Sequence, residues 1–471
     1  VNTRIDTRLV AAVALLFFAG CKVSAPPAGD VVQREALPMF DSSATWRSPA
    51  DTAVVLDNWL ATFNDPQLET LVAEALSRSP GLATMGLRVE QAGQQVELAR
   101  AALRPAVSLL GIGGINLGGG DLSSPLQGGL LGVSWEPDLW GRMRHGRNAR
   151  METYASAQAD LQFARQSLAA MVARAWFTAV EARGQQLIAA ELVSYADTLV
   201  QLAEQRLGTG AGTEQELMQA RVARGTCRDA ERRLESATQQ AMRAVELLVG
   251  RYPAAELELR AELPPMPPPV PAGMPLDLLE RRPDLIAAEH RVAAAFHGVG
   301  EARAAKLPRL TINANGSVID SDILALAPNY RNPSFGAGAR LIVPIYQGGA
   351  LDAQLAIRTL QQEEAMSLYA ETALRAFGEV EQALMSGSIM EERTAILRDN
   401  LDEQQRVVQL SAVQERIGRG DHRAVMQGLL AVGSARSALL QANGQQLANR
   451  IDLHLGLGGG FRQAEGAAGG R

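Results

Sequence analysis

The sequence predicts an α+β membrane fold in which one chain supplies four transmembrane β-strands and long coiled-coil helices, and three observations lead there. First, one pattern is stated twice. Pro80, Leu82, Arg88, Val89, Val96, Arg100, Ala101, Ala102 and Pro105 recur, about two hundred residues later, as Pro283, Leu285, Arg291, Val292, Val299, Arg303, Ala304, Ala305 and Pro308. Second, each copy runs from its last proline into short stretches where polar and apolar residues alternate at period two. Third, each copy then holds a proline-free stretch of roughly 65 residues, about 100 Å long as a helix, which no compact domain of this size accommodates.

The chain has 471 residues, 47% hydrophobic, with a formal net charge of −6. That is ample for a large folded body, and the charge is too weak to argue for a nucleic-acid partner. The continuous apolar run at 9–19, about eleven residues, is short of the roughly twenty that a membrane-crossing helix needs. It follows Arg4 and Arg8 and ends in Phe18-Ala19-Gly20-Cys21, the order of a secretory signal. The segment resembles a bacterial lipoprotein signal with Cys21 as the acylated residue, although Phe18 stands where Leu is usual. Lys22 rather than Asp after the cysteine favours the outer membrane in that sorting pattern. The second cysteine, Cys227, is expected as a small buried helix residue; with Cys21 acylated no intrachain disulfide is possible.

Residues 22–51, rich in Pro, Ala and Ser, read as an extended tether. Asp65-Pro66 and Ser79-Pro80 each set a capping side chain before a first-turn proline, so helices start there and stop at Pro105. In the second copy Leu310, Ile312, Ala314, Gly316 and Val318 alternate with Thr311, Asn313, Asn315 and Ser317, and 335–341 gives the return strand after a polar loop at 320–333. In the first copy Leu131, Val133 and Trp135 alternate with Gly132, Ser134 and Glu136, while 107–116 alternates poorly. A half-buried soluble sheet would show the same alternation; the helix lengths favour the membrane.

Helices are expected over 141–207 and 351–417, the first with coiled-coil spacing whose phase slips between Ala175 and Ile188, the second with Gly378 and Gly387 as weak points. Each ends in a glycine turn, Arg206-Leu207-Gly208-Thr209-Gly210 and Arg416-Ile417-Gly418-Arg419-Gly420, before a returning helix to Gly250 or Gly458. Between the copies, 263–271 reads Leu-Pro-Pro-Met-Pro-Pro-Pro-Val-Pro, a stiff connector. The division is therefore a signal segment at 1–20, a lipid-anchored tether and equatorial segment at 21–64, repeat 1 at 65–252, a Pro-rich linker at 253–275, repeat 2 at 276–458 and a Gly-rich tail at 459–471.

Four strands cannot close a barrel, and an open edge in lipid leaves backbone groups unsatisfied at several kcal/mol each. Two chains give a barrel filled by side chains, whereas three give twelve strands with room for a lumen. The expectation is a trimeric 12-stranded β-barrel continued by an α-helical barrel, a channel-tunnel.

Several motifs, in order, carry a resemblance: Phe63-Asn-Asp-Pro-Gln-Leu68, Trp135-Glu-Pro-Asp-Leu-Trp-Gly-Arg142, Arg282-Pro-Asp-Leu-Ile-Ala-Ala-Glu289, Pro344-Ile-Tyr-Gln-Gly-Gly349 and Leu457-Gly-Gly-Gly-Phe461. Over essentially the whole mature chain this resembles the TolC-like outer-membrane efflux lipoproteins of the NodT type. The resemblance implies a homotrimeric conduit in the outer membrane, reaching into the periplasm and served by a periplasmic adaptor and an inner-membrane RND-type pump. It also implies adaptor docking at Arg206, Leu207, Gly208, Thr209, Arg416, Ile417, Gly418 and Arg419, where a plain helix cap would use the same glycines. Relatives carry an aromatic and Leu-Asp-Val-Leu-Asp after the second turn; here Asp421-His422-Arg423-Ala424-Val425-Met426-Gln427 stands instead, so Asp421 and His422 are the candidate gate, with a solvated turn as the alternative. The copies contrast most at Gly212-Thr-Glu-Gln-Glu216 against Asp421-His-Arg423.

Trp135, Trp140, Phe335 and Tyr346 flank strands as interface girdles or as packing residues. No constellation suggests an enzyme. His290 and His297, seven apart on one helix with Glu289 beside the first, lack further metal ligands. Gly111-Ile-Gly113-Gly114 precedes no helix, so it is no phosphate loop, and no cofactor is implied. Export of small toxic compounds leads; the exit duct of a protein secretion system, and a lipid-anchored coiled-coil envelope protein without a pore, are the competing readings.

Overall fold

The computed structural model describes residues 23–38, 45–51, 53, 55, 57–113, 127–320 and 332–460. The signal segment with Cys21, most of the 320–333 loop, 114–116 and the tail from Phe461 lie outside them. In order come α1 (Gly29–Ala36), α2 (Pro66–Arg78), α3 (Pro80–Ala101), β1 (Ala106–Ile112), β2 (Gln127–Trp135), α4 (Arg142–Gly208), α5 (Glu214–Val249), α6 (Asp277–Arg281), α7 (Pro283–Ala305), β3 (Arg309–Asp320), β4 (Ser334–Ile342), α8 (Ala350–Arg416) and α9 (His422–Gly456). No described helix is long and apolar enough to cross a membrane.

Two compact units divide the chain, and each draws on both repeats. One comprises Val1–Met39, Leu87–Ala159 and Ala287–Glu371; the other comprises Phe40–Gly86, Asp160–Ile286 and Thr372–Arg471.

Among the described residues the first unit holds one antiparallel sheet in the order β1-β2-β3-β4. Register puts Val107 beside Val133, Val133 beside Ala314, and Ala314 beside Ala337; the next row is Leu109, Leu131, Gly316 and Phe335. Because side chains alternate across a strand, these rows share one face, and Ser108, Ser134, Asn313, Asn315 and Arg340 share the other. The weak alternation of β1 resolves here. Val107 and Leu109 join the apolar face, and Leu110 meets Leu130 on the polar one. The apolar face is bare: Leu109 is 77% exposed and Phe335 83%.

The strand-to-helix motif at 135–142 explains itself in this unit. Asp138 accepts from the Met143 and Arg144 amides, capping α4; Glu136 holds Arg142 at 2.9 Å; and Trp140 Nε1 donates to the Pro308 carbonyl at 2.6 Å. Trp135 Nε1 donates to the Leu103 carbonyl. Tyr346, expected to flank the strand, is 87% exposed beyond β4. The tether is not extended throughout: 29–36 is helical, because Val32 buries against Ala288, Val292 and Tyr369. His290 and His297 do not act together. His290 Nδ1 meets Glu152 at 2.7 Å, whereas His297 is buried with its Nδ1 3.1 Å from that of His145. Burial depresses the pKa of both His145 and His297, so the pair is held neutral, one ring donating to the other.

In the second unit Trp59, Phe63, Leu68 and Leu71 close on Val172, Trp176, Phe177 and Leu447. Each such side chain contributes about 1.5–3 kcal/mol relative to exposure. The phase slip of α4 falls where Ala169, Val172, Ala173, Trp176, Ala179 and Val180 are all buried, so that stretch is enclosed on most sides and the helix runs on unbroken. Gly378 and Gly387 do not interrupt α8. Instead, glycines of α9 let α4 approach: a Cβ at Gly433 would strike Leu192, and one at Gly444 would strike the Glu181 carboxylate. Cys227 is half-buried on α5 rather than fully buried.

Candidate functional site

The candidate site is the pair of turns that join α4 to α5 and α8 to α9, all within the second unit. Both are built alike. Arg419 N–H donates to the Gln414 carbonyl and Gly418 N–H to Glu415; likewise Ala211 donates to Arg206 and Gly210 to Leu207. These are Schellman closures, which need a left-handed residue just past the helix. Gly418 (φ 70°) and Gly210 (φ 75°) supply it. This corrects the turn in the first copy: Gly208 is the last helical residue, and Gly210 is the counterpart of Gly418. The reason is length: α4 continues two residues beyond Arg206, to Gly208, whereas α8 ends at Arg416.

Caps then start the returning helices. Thr213 Oγ1 accepts from the Glu216 amide while Glu216 reaches back to the Thr213 amide, a capping box. Asp421 accepts from the Arg423 amide at 3.0 Å and so caps α9. Thr209 Oγ1 bonds the Gln205 and Arg206 carbonyls, which turns its hydroxyl inward. Leu207 and Ile417 are exposed at 37% and 58%, an apolar residue offered by each turn. Arg416 is the last residue of α8 and Arg419 lies within the turn that follows it.

The two turns are tied by charge. Arg423 lies 3.2 Å from Glu216 and 3.6 Å from Asp421, and Asp421 lies 3.8 Å from Arg206. His422 Nδ1 meets Glu415 at 2.8 Å. Residues that the sequence set in contrast, 212–216 against 421–423, are therefore partners across the hairpins. The Thr213-x-x-Glu216 box was legible locally; the reach of Glu216 to Arg423 was not, because 207 positions of chain separate them. All of these groups are partly exposed, so each pair contributes only about 0.2–1 kcal/mol. A chain of weak ion pairs between two hairpins holds them together and lets them part at modest cost. Among the described residues no cluster of three or more His, Cys, Asp or Glu forms a metal site.

A sheet of membrane type with bare edges, joined in one chain to two long helical hairpins with matched turns, defines an outer-membrane channel subunit. The family model described as outer membrane efflux protein matches residues 71–251 and 274–459, and the chain belongs to that family. Its place is the outer membrane. The chain is 29% identical over 433 residues to the probable efflux pump outer membrane protein TtgC of Pseudomonas putida, covering 89% of this chain and 88% of that one. The fold is shared with the CmeC outer membrane channel of Campylobacter jejuni (TM-score 0.79, 20% identity, 95% of this chain and 96% of that one). It is shared also with the open state of the MtrE channel of Neisseria gonorrhoeae (TM-score 0.76, 24% identity, 94% and 98%).

Proposed function

We propose that the chain is the exit duct of a tripartite efflux system: a passive homotrimeric conduit that carries small toxic compounds, delivered by an inner-membrane RND-type pump through a periplasmic adaptor, across the outer membrane. The observation that carries this is the sheet. It has an apolar and a polar face, and β1 and β4 each end it with an unpaired edge. In lipid those edges need partner strands, and three chains of four strands supply twelve, enough for an aqueous lumen. The turns at Arg206, Leu207, Gly208 and Thr209 and at Arg416, Ile417, Gly418 and Arg419 are the adaptor-docking surface in this reading. Asp421, with Arg206, Arg423 and Glu216, is the latch that keeps the hairpins together; His422 braces it through Glu415. Cys21 carries the lipid anchor.

The test is reconstitution of the full chain in planar bilayers alongside sizing in detergent. A trimer with discrete conductance is expected, larger when Arg423→Gln loosens the latch. A folded protein that stays monomeric and never conducts would sink the proposal.

A further inference from the structure

The polar face of the sheet carries only positive charge. Arg340 stands opposite Thr311 and Arg309 opposite Ile342, so both project from the face that bears Ser134, Asn313 and Asn315. Among the described strand residues the one acid is Asp320, the last residue of β3, at the opposite end from Arg309. Neither arginine has an ion-pair partner among the described residues, and Arg309 Nε is buried without any hydrogen-bond acceptor.

One pocket among the helix segments joined to these strands is also rich in arginine. Of about 750 Å³ and set among α3, α4, α7 and α8, it is lined by Arg142, Arg147, Arg150 and Arg358, with Glu301 as its one carboxylate. Arg142 is neutralised by Glu136, but among the described residues Arg147 and Arg358 bond the side-chain amide oxygens of Asn148 and Gln361 rather than carboxylates. In a chain of net charge −6, the polar face of the described strands bears arginine and no carboxylate, whereas the flanking helix segments balance most of their charge, Arg144 with Asp138 and Lys306 with Asp352.

We infer that the barrel formed by these strands is lined by guanidinium groups and prefers anions, so that the solutes it passes most readily are chloride-like ions and small organic carboxylates, phosphates and sulfonates. This rests on the channel reading above. Rings of arginine are how pores select anions, and the low-dielectric wall of a barrel focuses their potential into the lumen, where in water it would be screened away. Each subunit repeats the same two arginines, so a closed barrel would carry them as rings rather than as isolated charges. The polar faces of β1 and β2 add hydroxyls and glycines, Ser108, Gly132 and Ser134, which impose no opposing sign.

The experiment is the reversal potential of the full-length protein in planar bilayers under a potassium chloride gradient. Chloride preference is expected, with the chloride-to-potassium permeability ratio falling about threefold or more in an Arg309→Gln/Arg340→Gln double variant. Arg340→Lys, which keeps the charge, should hold the wild-type ratio. A conducting wild type that prefers potassium, or a double variant whose ratio is unchanged, would overturn the inference while leaving the channel intact. A wild type without conductance would remove the channel reading and this inference with it.

Discussion

Arg282 is 3% exposed and fully charged, and the motif it opens makes sense only through its partners. Its Nε and Nη2 form a two-pronged contact with Asp284 at 3.0 and 2.8 Å, while Nη1 reaches Glu379 at 2.8 Å and the Gly456 carbonyl at 3.2 Å. Removing it leaves the Gly456 carbonyl without its donor and Asp284 without its two-pronged partner, while Glu379, 48% exposed, turns to water, so Arg282→Ala should cost about 1.5–3 kcal/mol of stability in detergent unfolding; a loss below about 1 kcal/mol would show that water replaces the whole contact. Asp65 works likewise, capping α2 and also accepting from Trp176 Nε1 at 2.9 Å and facing Arg260 at 3.2 Å. Glu181 is the opposite case. Burial beside Gly444 pushes its carboxyl up to about 7, so its protonated form belongs to the folded state. A raised pKa gives stability that is present below about 4.5 and lost as pH rises through about 7. Glu181→Gln should therefore flatten the fall in melting temperature across that window and gain about 1–2 kcal/mol above it, after discount for the solvent that still reaches the group. An unchanged pH profile would refute the assignment.

At the scale of elements, the four long helices end by one rule. Gly210, Gly250, Gly418 and Gly458 all take positive φ, and each closes its helix with the same pair of backbone hydrogen bonds. Those ends were legible in the sequence because glycine is the residue such a cap requires. The exact turn residue in the first copy was not, since Gly208 and Gly210 offer the same chemistry and only the completed helix chooses between them. For docking, cysteines at Gly208 and Arg419 suit a test. Gly208 has open space around it and carries no positive φ. Both should crosslink to the adaptor in cells, whereas Leu131 and Ile312, on the apolar face of the sheet, should not; crosslinks confined to the sheet positions would place docking elsewhere.

On the scale of the whole molecule, the two repeats are not two bodies. Each compact unit combines matching parts of both, so the sheet unites β2 of one copy with β3 of the other, and α4 packs on α9 through Gly433 and Gly444. Duplication therefore gives matching, quasi-equivalent parts within each unit. The proposed anchor belongs to this scale, because an acylated Cys21 would fix where the chain sits. Cys21→Ser should abolish acyl labelling and release the protein from stringent membrane retention only in part, since the proposed barrel would hold it as well; labelling that survives the substitution would move the anchor site.

What the sequence determined by itself was what depends on neighbours along the chain: the duplication, the helix lengths, the proline starts and glycine ends, and the alternation of 310–318. Local backbone preferences and period are written within a few residues. What only the tertiary structure decided was everything that rests on register and reach. The weak alternation of β1 became a coherent apolar face once Val107 met Val133, the tether folded into α1 because Val32 found Tyr369, and Arg423 found Glu216 on the other hairpin. Such contacts are set by how elements lie against one another, and no pattern within a single segment encodes the partner.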